Sequence, residues 1–157
     1  MPETQAESEL DVKPDPRFNS KLAAKFINCL MEQGKKAKAQ KHFYGAMDIV
    51  ADRLDEEDPG EVFEEALENV QPRVEVRGRR IGGMTYQVPT EVSGKRKVAL
   101  GIRWLLEAAR SKKGRPLQYR LADEIMDAYN KQGSAYQRRE SLHKMAEANR
   151  AYSHFRI

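Results

Sequence analysis

Most apolar residues of this chain recur at helical spacing. Leu22, Phe26, Ile27 and Leu30 share one face of a first helix, with Ser20 placed to cap it and Gly34 to stop it. Phe43, Ala46, Met47, Val50 and Leu54 repeat the pattern beyond a basic connector of Lys35, Lys36, Lys38 and Lys41. Asp58-Pro59-Gly60-Glu61 is a helix start: Asp58 can accept from a backbone N–H, Pro59 suits the first turn, and Glu61 follows three residues on. Val62, Phe63, Ala66, Leu67 and Val70 continue it as a stripe that Pro72 ends. Val98, Ile102, Leu105, Leu106 and Ala109 line a fourth helix opened by Ser93. A fifth carries Leu117, Leu121, Ile125 and Ala128 and ends near Gly133; a sixth begins about Ser134 and carries Ala135, Leu142, Met145 and Ala146.

One stretch breaks this period. Arg73 to Val92, RVEVRGRRIGGMTYQVPTEV, reads as strand, turn and strand about Gly82-Gly83. Strands of ~7 residues reach ~23 Å. A two-stranded ribbon of that length is marginal alone and is expected to be mobile unless a partner holds it. The predicted fold is therefore mainly α: a single-domain bundle of about six helices with a protruding two-stranded β-ribbon between helices three and four. Residues 1–16, acidic and carrying Pro2, Pro14 and Pro16, read as a disordered tail. Residues 17–157 read as the folded domain, with the ribbon at about 73–92.

Charge sharpens the picture. The net charge of +4 conceals strong segregation. Residues 52–68 hold nine acids and one base, whereas residues 69–120 hold thirteen bases and three acids. Residues 17–41 add seven bases against one acid. Separate acidic and basic surfaces follow, and the basic one is the footprint of a polyanion partner. Four clusters compose it: Arg17, Lys21, Lys25, Lys35, Lys36, Lys38 and Lys41; Arg73, Arg77, Arg79 and Arg80; Lys95, Arg96, Lys97 and Arg103; and Arg110, Lys112, Lys113 and Arg115. Such cations bind phosphates largely by releasing counterions. Any one run can be a plain solvated face; four of them with segregated acids are not. Arg103 is expected to pack on the neighbouring Trp104 indole. Tyr86 is placed to stack on an unpaired base.

Other classes fare worse. His42, His143 and His154 are scattered, and His143 with Glu147 reads as an ordinary helix-surface pair. No phosphate-loop or nucleophile motif is present, so neither an enzyme nor a cofactor or metal is expected. The lone Cys29 excludes an intramolecular disulfide and is expected in the core, as are Met31, Met47, Met126 and Met145. No apolar run approaches ~20 residues, and the acidic N-terminus is unlike a secretory signal or transit peptide. A cytosolic or mature organellar setting is expected. The rival readings are an architectural DNA-binding protein whose ribbon grips the minor groove and a protein-binding scaffold using residues 52–68.

The segments KFINCLMEQGKKAKA (25–39), ALENVQPRVEVRGRRIGGMTYQVPTEV (66–92), RWLLEAAR (103–110), RLADEIMDA (120–128) and HKMAEANRAYSHFR (143–156) resemble the bacterial-type small-subunit ribosomal protein seven family. The similarity runs in order from about residue 14 to the end. It implies a helical protein with a β-ribbon between its third and fourth helices. It also implies direct binding to the three-prime major domain of the small-subunit rRNA and nucleation of the subunit's head. The finished position would be the interface side of the cytoplasmic ribosome, near the exit-site tRNA and the exiting mRNA, with the ninth and eleventh small-subunit proteins as neighbours. By position, Lys35 and Lys36 match the family's basic connector, Arg77, Arg79 and Arg80 its ribbon, and Lys95, Arg96 and Arg110 the ends of its fourth helix. These are implied to face rRNA. Gly82, Gly83 and Met84 at the ribbon tip, with Tyr86 on its return strand, and Arg138, Arg139, Lys144 and Arg150 on the last helix are the candidates for the tRNA side. Many members begin with a short arginine- and lysine-rich arm; here the arm is acidic, and no rRNA contact is expected before Lys13.

Overall fold

The computed structural model describes residues 10–55 and 57–155. Among them are six α-helices, a two-stranded ribbon and a terminal 3-10 turn. In chain order these are α1 (Lys21–Leu30), α2 (Lys36–Arg53), α3 (Pro59–Val70), β1 (Val74–Ile81), β2 (Met84–Glu91), α4 (Gly94–Ser111), α5 (Leu117–Tyr129) and α6 (Gly133–Ala148), with the 3-10 helix at Arg150–Phe155. The helical bundle with a ribbon between its third and fourth helices is as the apolar spacing predicts.

The caps are chemical. Ser20 Oγ accepts from Ala23 N at 3.1 Å, Asp58 from Gly60 N at 3.2 Å, and Ser93 Oγ from Arg96 N at 3.4 Å. Arg120 was not foreseen: its guanidinium, on α5, donates to the carbonyls of Ala109, Lys112 and Arg115 at 3.2, 2.6 and 2.9 Å. It thereby ties acceptors at the end of α4 and in the loop that follows.

The centre of the bundle is aromatic. Phe26 of α1, Phe43 of α2 and Phe63 of α3 are fully buried, with ring centroids 5.1–5.4 Å apart. Edge and tilted contacts of this kind suit the ring quadrupoles. α5 packs against α2, α3, α4 and α6, burying Leu121, Ala122, Ile125 and Ala128. α4 lies so close to α3 that a side chain at Gly101 would meet Leu67 Cδ1 at 3.0 Å.

Several expectations are corrected. α1 ends at Leu30, and Gly34 lies in the following turn at φ +72°. Lys36, Lys38 and Lys41 are not in a connector but on the opening turns of α2. Gly133 opens α6 instead of ending α5. Cys29 is exposed, because it falls just outside the arc shared by Leu22, Phe26, Ile27 and Leu30. Met145 is also exposed: Ala135, Leu142 and Ala146 line up along α6, and Met145 sits about 100° round from Ala146.

Residues 1–9 of the segment read as a tail lie outside the described residues. From Leu10 onward that segment is packed on the bundle, with Leu10 buried and Val12 against the core. Buried Asp15 accepts from the N–H groups of Arg17 and Phe18, both at 3.0 Å, and from the Tyr44 hydroxyl at 2.6 Å. Burial, then this bond, pushes the Tyr44 hydroxyl up to about 12.

Candidate nucleic-acid interface

The ribbon is antiparallel, pairing Val74 with Glu91 through to Ile81 with Met84. Gly82 and Gly83 both have positive φ, at 59° and 83°, the signature of a two-residue type I′ turn whose twist matches the strands. Nothing lies within 4 Å of a Cβ built at either glycine, and Met84 beside them is 61% exposed. The tip projects free of the bundle.

The shaft of the ribbon is held by its own chain. At the base, Arg73 N–H donates to His143 Nε2 on α6 at 3.0 Å. Burial, and then the nearby Arg139 and Arg73 charges, lower the His143 pKa, keeping the acceptor nitrogen unprotonated. Further out, Tyr86 packs its ring against Tyr152 and Phe155, centroids 5.1 Å away in each case. Arg79 donates to the Phe155 carbonyl. The ring predicted to stack on a base thus has intramolecular ring partners.

Glu75 organises the junction between ribbon and α4, and sequence reasoning missed it. It is 6% exposed and receives Arg96 Nε on both oxygens, at 2.9 and 3.0 Å, together with Arg77 at 3.0–3.1 Å. Burial alone would raise its pKa, but the Arg96 and Arg77 hydrogen bonds outweigh burial and the net shift is downward. One buried carboxylate therefore fixes two guanidiniums from two elements side by side, and both remain largely solvent-facing.

The predicted cations divide into two groups. Some are engaged within the fold. Arg17 pairs with Asp48 and lies over the Phe18 and Tyr44 rings. Arg110 donates to the Leu30 carbonyl and pairs with Glu32. Lys112 lies 2.7 Å from Glu124, which is 1% exposed, and Arg115 pairs with Asp123 at 2.8 Å. On α6, Arg138 pairs with Glu107 and Arg139 with Glu140; Arg150, which opens the terminal 3-10 helix, pairs with Glu147. Lys21 also has an internal interaction. Others make no ion pair or side-chain hydrogen bond among the described residues: Lys25, Lys35, Lys36, Lys38, Lys41, Arg73, Arg80, Lys95, Lys97, Lys113 and Lys144. Sequence alone could not sort the two groups: Asp48, Glu32 and Glu107 lie tens of residues from the cations they hold, and the near pairs Arg139–Glu140 and Arg150–Glu147 look like any other neighbouring charges.

Trp104 corrects a further expectation. Adjacent helical residues point about 100° apart, so Arg103 cannot lie over its neighbour's ring. Arg138 of α6 occupies that face instead, 5.6 Å from the ring centroid. No cluster of three or more His, Cys, Asp or Glu suited to a metal occurs among the described residues. No helix there is long and apolar enough to cross a membrane.

The family model for ribosomal protein S7p/S5e matches residues 2–150. The chain belongs to that family. Among curated relatives, the small ribosomal subunit protein uS7 of Desulfotalea psychrophila is 57% identical over 145 residues, covering 92% of each chain. That of Marinobacter nauticus is 52% identical over 157 residues and spans both chains completely, and that of Thermotoga maritima is 54% identical over 145 residues, covering 92% of this chain and 93% of its own. This is a family of small-subunit ribosomal proteins and not of enzymes, and membership implies rRNA binding.

Proposed function

We propose that this chain binds the three-prime major domain of the small-subunit rRNA, nucleates folding of the head, and lies at the subunit interface near the exit-site tRNA and the exiting mRNA. The observation that carries the reading is the combination of a bare ribbon tip with two guanidiniums, Arg77 and Arg96, fixed on one buried carboxylate. Cations held in place by the fold lose little freedom when they meet phosphates, and planar guanidiniums match phosphate oxygens in pairs. The free cations on the opening turns of α2, on the ribbon and at the start of α4 supply the counterion-releasing charge.

An A-form helix hides its major-groove base edges, so recognition rests on backbone shape and junction geometry. A rigid cationic frame binds the folded junction better than the open one and shifts the RNA toward it. The engaged cations Arg17, Lys112 and Arg115 act mainly by holding the frame. The ribbon tip, Gly82 to Met84, together with Lys144, Arg138 and Arg139 of α6 and Arg150 just beyond it, faces the tRNA side. The ninth and eleventh small-subunit proteins are its neighbours.

The test is a competition at fixed salt between a folded three-prime-domain rRNA fragment and duplex DNA of equal charge. Preference for the RNA supports the reading. Preference for the DNA overturns it in favour of an architectural DNA-binding role.

A further inference from the structure

We propose that the cavity between the α1–α2 turn and the end of α4 is an RNA-phosphate socket in which His42 takes up a proton as the phosphate enters; this rests on the RNA-binding reading above. The cavity holds about 300 Å³ and is lined by Lys35, Lys38 and His42 from the start of α2, by Glu32 from the preceding turn, by Arg110 of α4 and by Leu117 of α5. That is ample for a phosphate group and its remaining hydration.

The charge of the lining suits an anion. Lys35 and Lys38 have no ion-pair partner among the described residues. Arg110 leans on the Leu30 carbonyl at 3.3 Å and on Glu32 at 3.5 Å, and Glu32 is 77% exposed, so an entering anion displaces it at little cost. α2 runs for 18 residues with no side-chain cap at Lys35, and although Lys36 N–H donates to the Gly34 carbonyl at 3.0 Å, the positive end of the helix dipole points at the same place.

His42 lies one turn along α2 from Lys38, half-buried, and its ring makes no hydrogen bond among the described residues. Burial first, then Lys38 and Lys41, depress its proton affinity. The charged groups about it are Lys38 and Lys41 on its own helix, Lys35 at the helix cap, Glu32 in the turn and Arg110 from α4; α5 presents the apolar Leu117. The unliganded ring is therefore neutral at neutral pH. A phosphate in the cavity reverses the field, and the imidazolium gains a second N–H donor with which to meet it. Binding then draws one proton from solvent. Affinity rises as pH falls between the bound and free ring pKa values, by up to about tenfold per pH unit, and levels off below the free value.

The experiment measures affinity for the rRNA fragment at constant ionic strength across about pH 5.5 to 8.5, the range in which histidine titrates. The wild type and His42→Gln are compared. Proton-linked gain is expected in the wild type, and its loss in His42→Gln. Equal pH slopes for the wild type and His42→Gln overturn the socket. In parallel, the His42 ring is titrated by NMR with and without inorganic pyrophosphate, and an upward pKa displacement is expected. If the wild type binds no RNA at any pH, the RNA reading fails and the ring alone decides: displacement by pyrophosphate supports the socket, and an unmoved titration overturns it.

Discussion

Arg79 on the outgoing strand of the ribbon donates to the backbone carbonyl of Phe155, seventy-six residues away. With Tyr152 and Phe155 flanking Tyr86, this contact makes the chain's own C-terminal turn the partner that an isolated two-stranded ribbon needs. Substituting Tyr152 and Phe155 together by alanine should leave the helical core intact while releasing the ribbon. Amide exchange from Arg79 to Gln87 should quicken, and exchange in α5 should stay unchanged. Unaltered protection of the ribbon would show that the turn does not hold it.

Glu75→Gln tests the junction. The substitution keeps the shape and removes the charge that gathers Arg96 and Arg77, so stability should fall by about 1–3 kcal/mol. The low end is expected because both guanidiniums face solvent. The pH profile gives the sign. Because the folded-state pKa of Glu75 is depressed, its contribution is present above the unfolded value near 4.5 and is lost as pH falls through the folded value. Wild type and variant should therefore differ most at neutral pH and converge in acid. A constant difference across that range would contradict the arrangement.

Free and engaged cations should behave differently toward RNA. Arg80→Ala removes a side chain with no internal partner, and the slope of log affinity against log salt should become shallower by about one contact. Arg17→Ala removes one already paired with Asp48 and stacked on Phe18 and Tyr44. It should cost stability and leave the salt slope close to that of the wild type. Equal changes of slope would mean that the internal pairs do not persist in the complex.

The aromatic centre should dominate stability. Phe43→Ala removes a fully buried ring that meets both Phe26 and Phe63. A loss of about 3–5 kcal/mol is expected by denaturant unfolding. A loss below about 1 kcal/mol would mean that the site collapses around the gap.

The helices and the ribbon were legible because each rests on a local signal: the 3.6-residue stripe, the Ser20, Asp58 and Ser93 caps, and the Gly82-Gly83 turn. What stayed hidden was non-local. Nothing near Glu75 in sequence announces that Arg96, twenty-one residues on, will close over it. Nothing near Trp104 announces that its cation arrives from Arg138 on α6. Cys29 and Met145 are apolar yet exposed, because angular position on the helix, not residue type, decides which side chains face the core. The residues of the interface were visible as charge; which of them the fold leaves free was not.

The most direct test of the account is chemical footprinting of the three-prime-domain rRNA at low salt, with and without the protein. Protection confined to a folded junction, and weakened when Arg77, Arg80 and Arg96 become alanine, is the predicted result. Equal reactivity of every nucleotide in the presence and absence of the protein would contradict it.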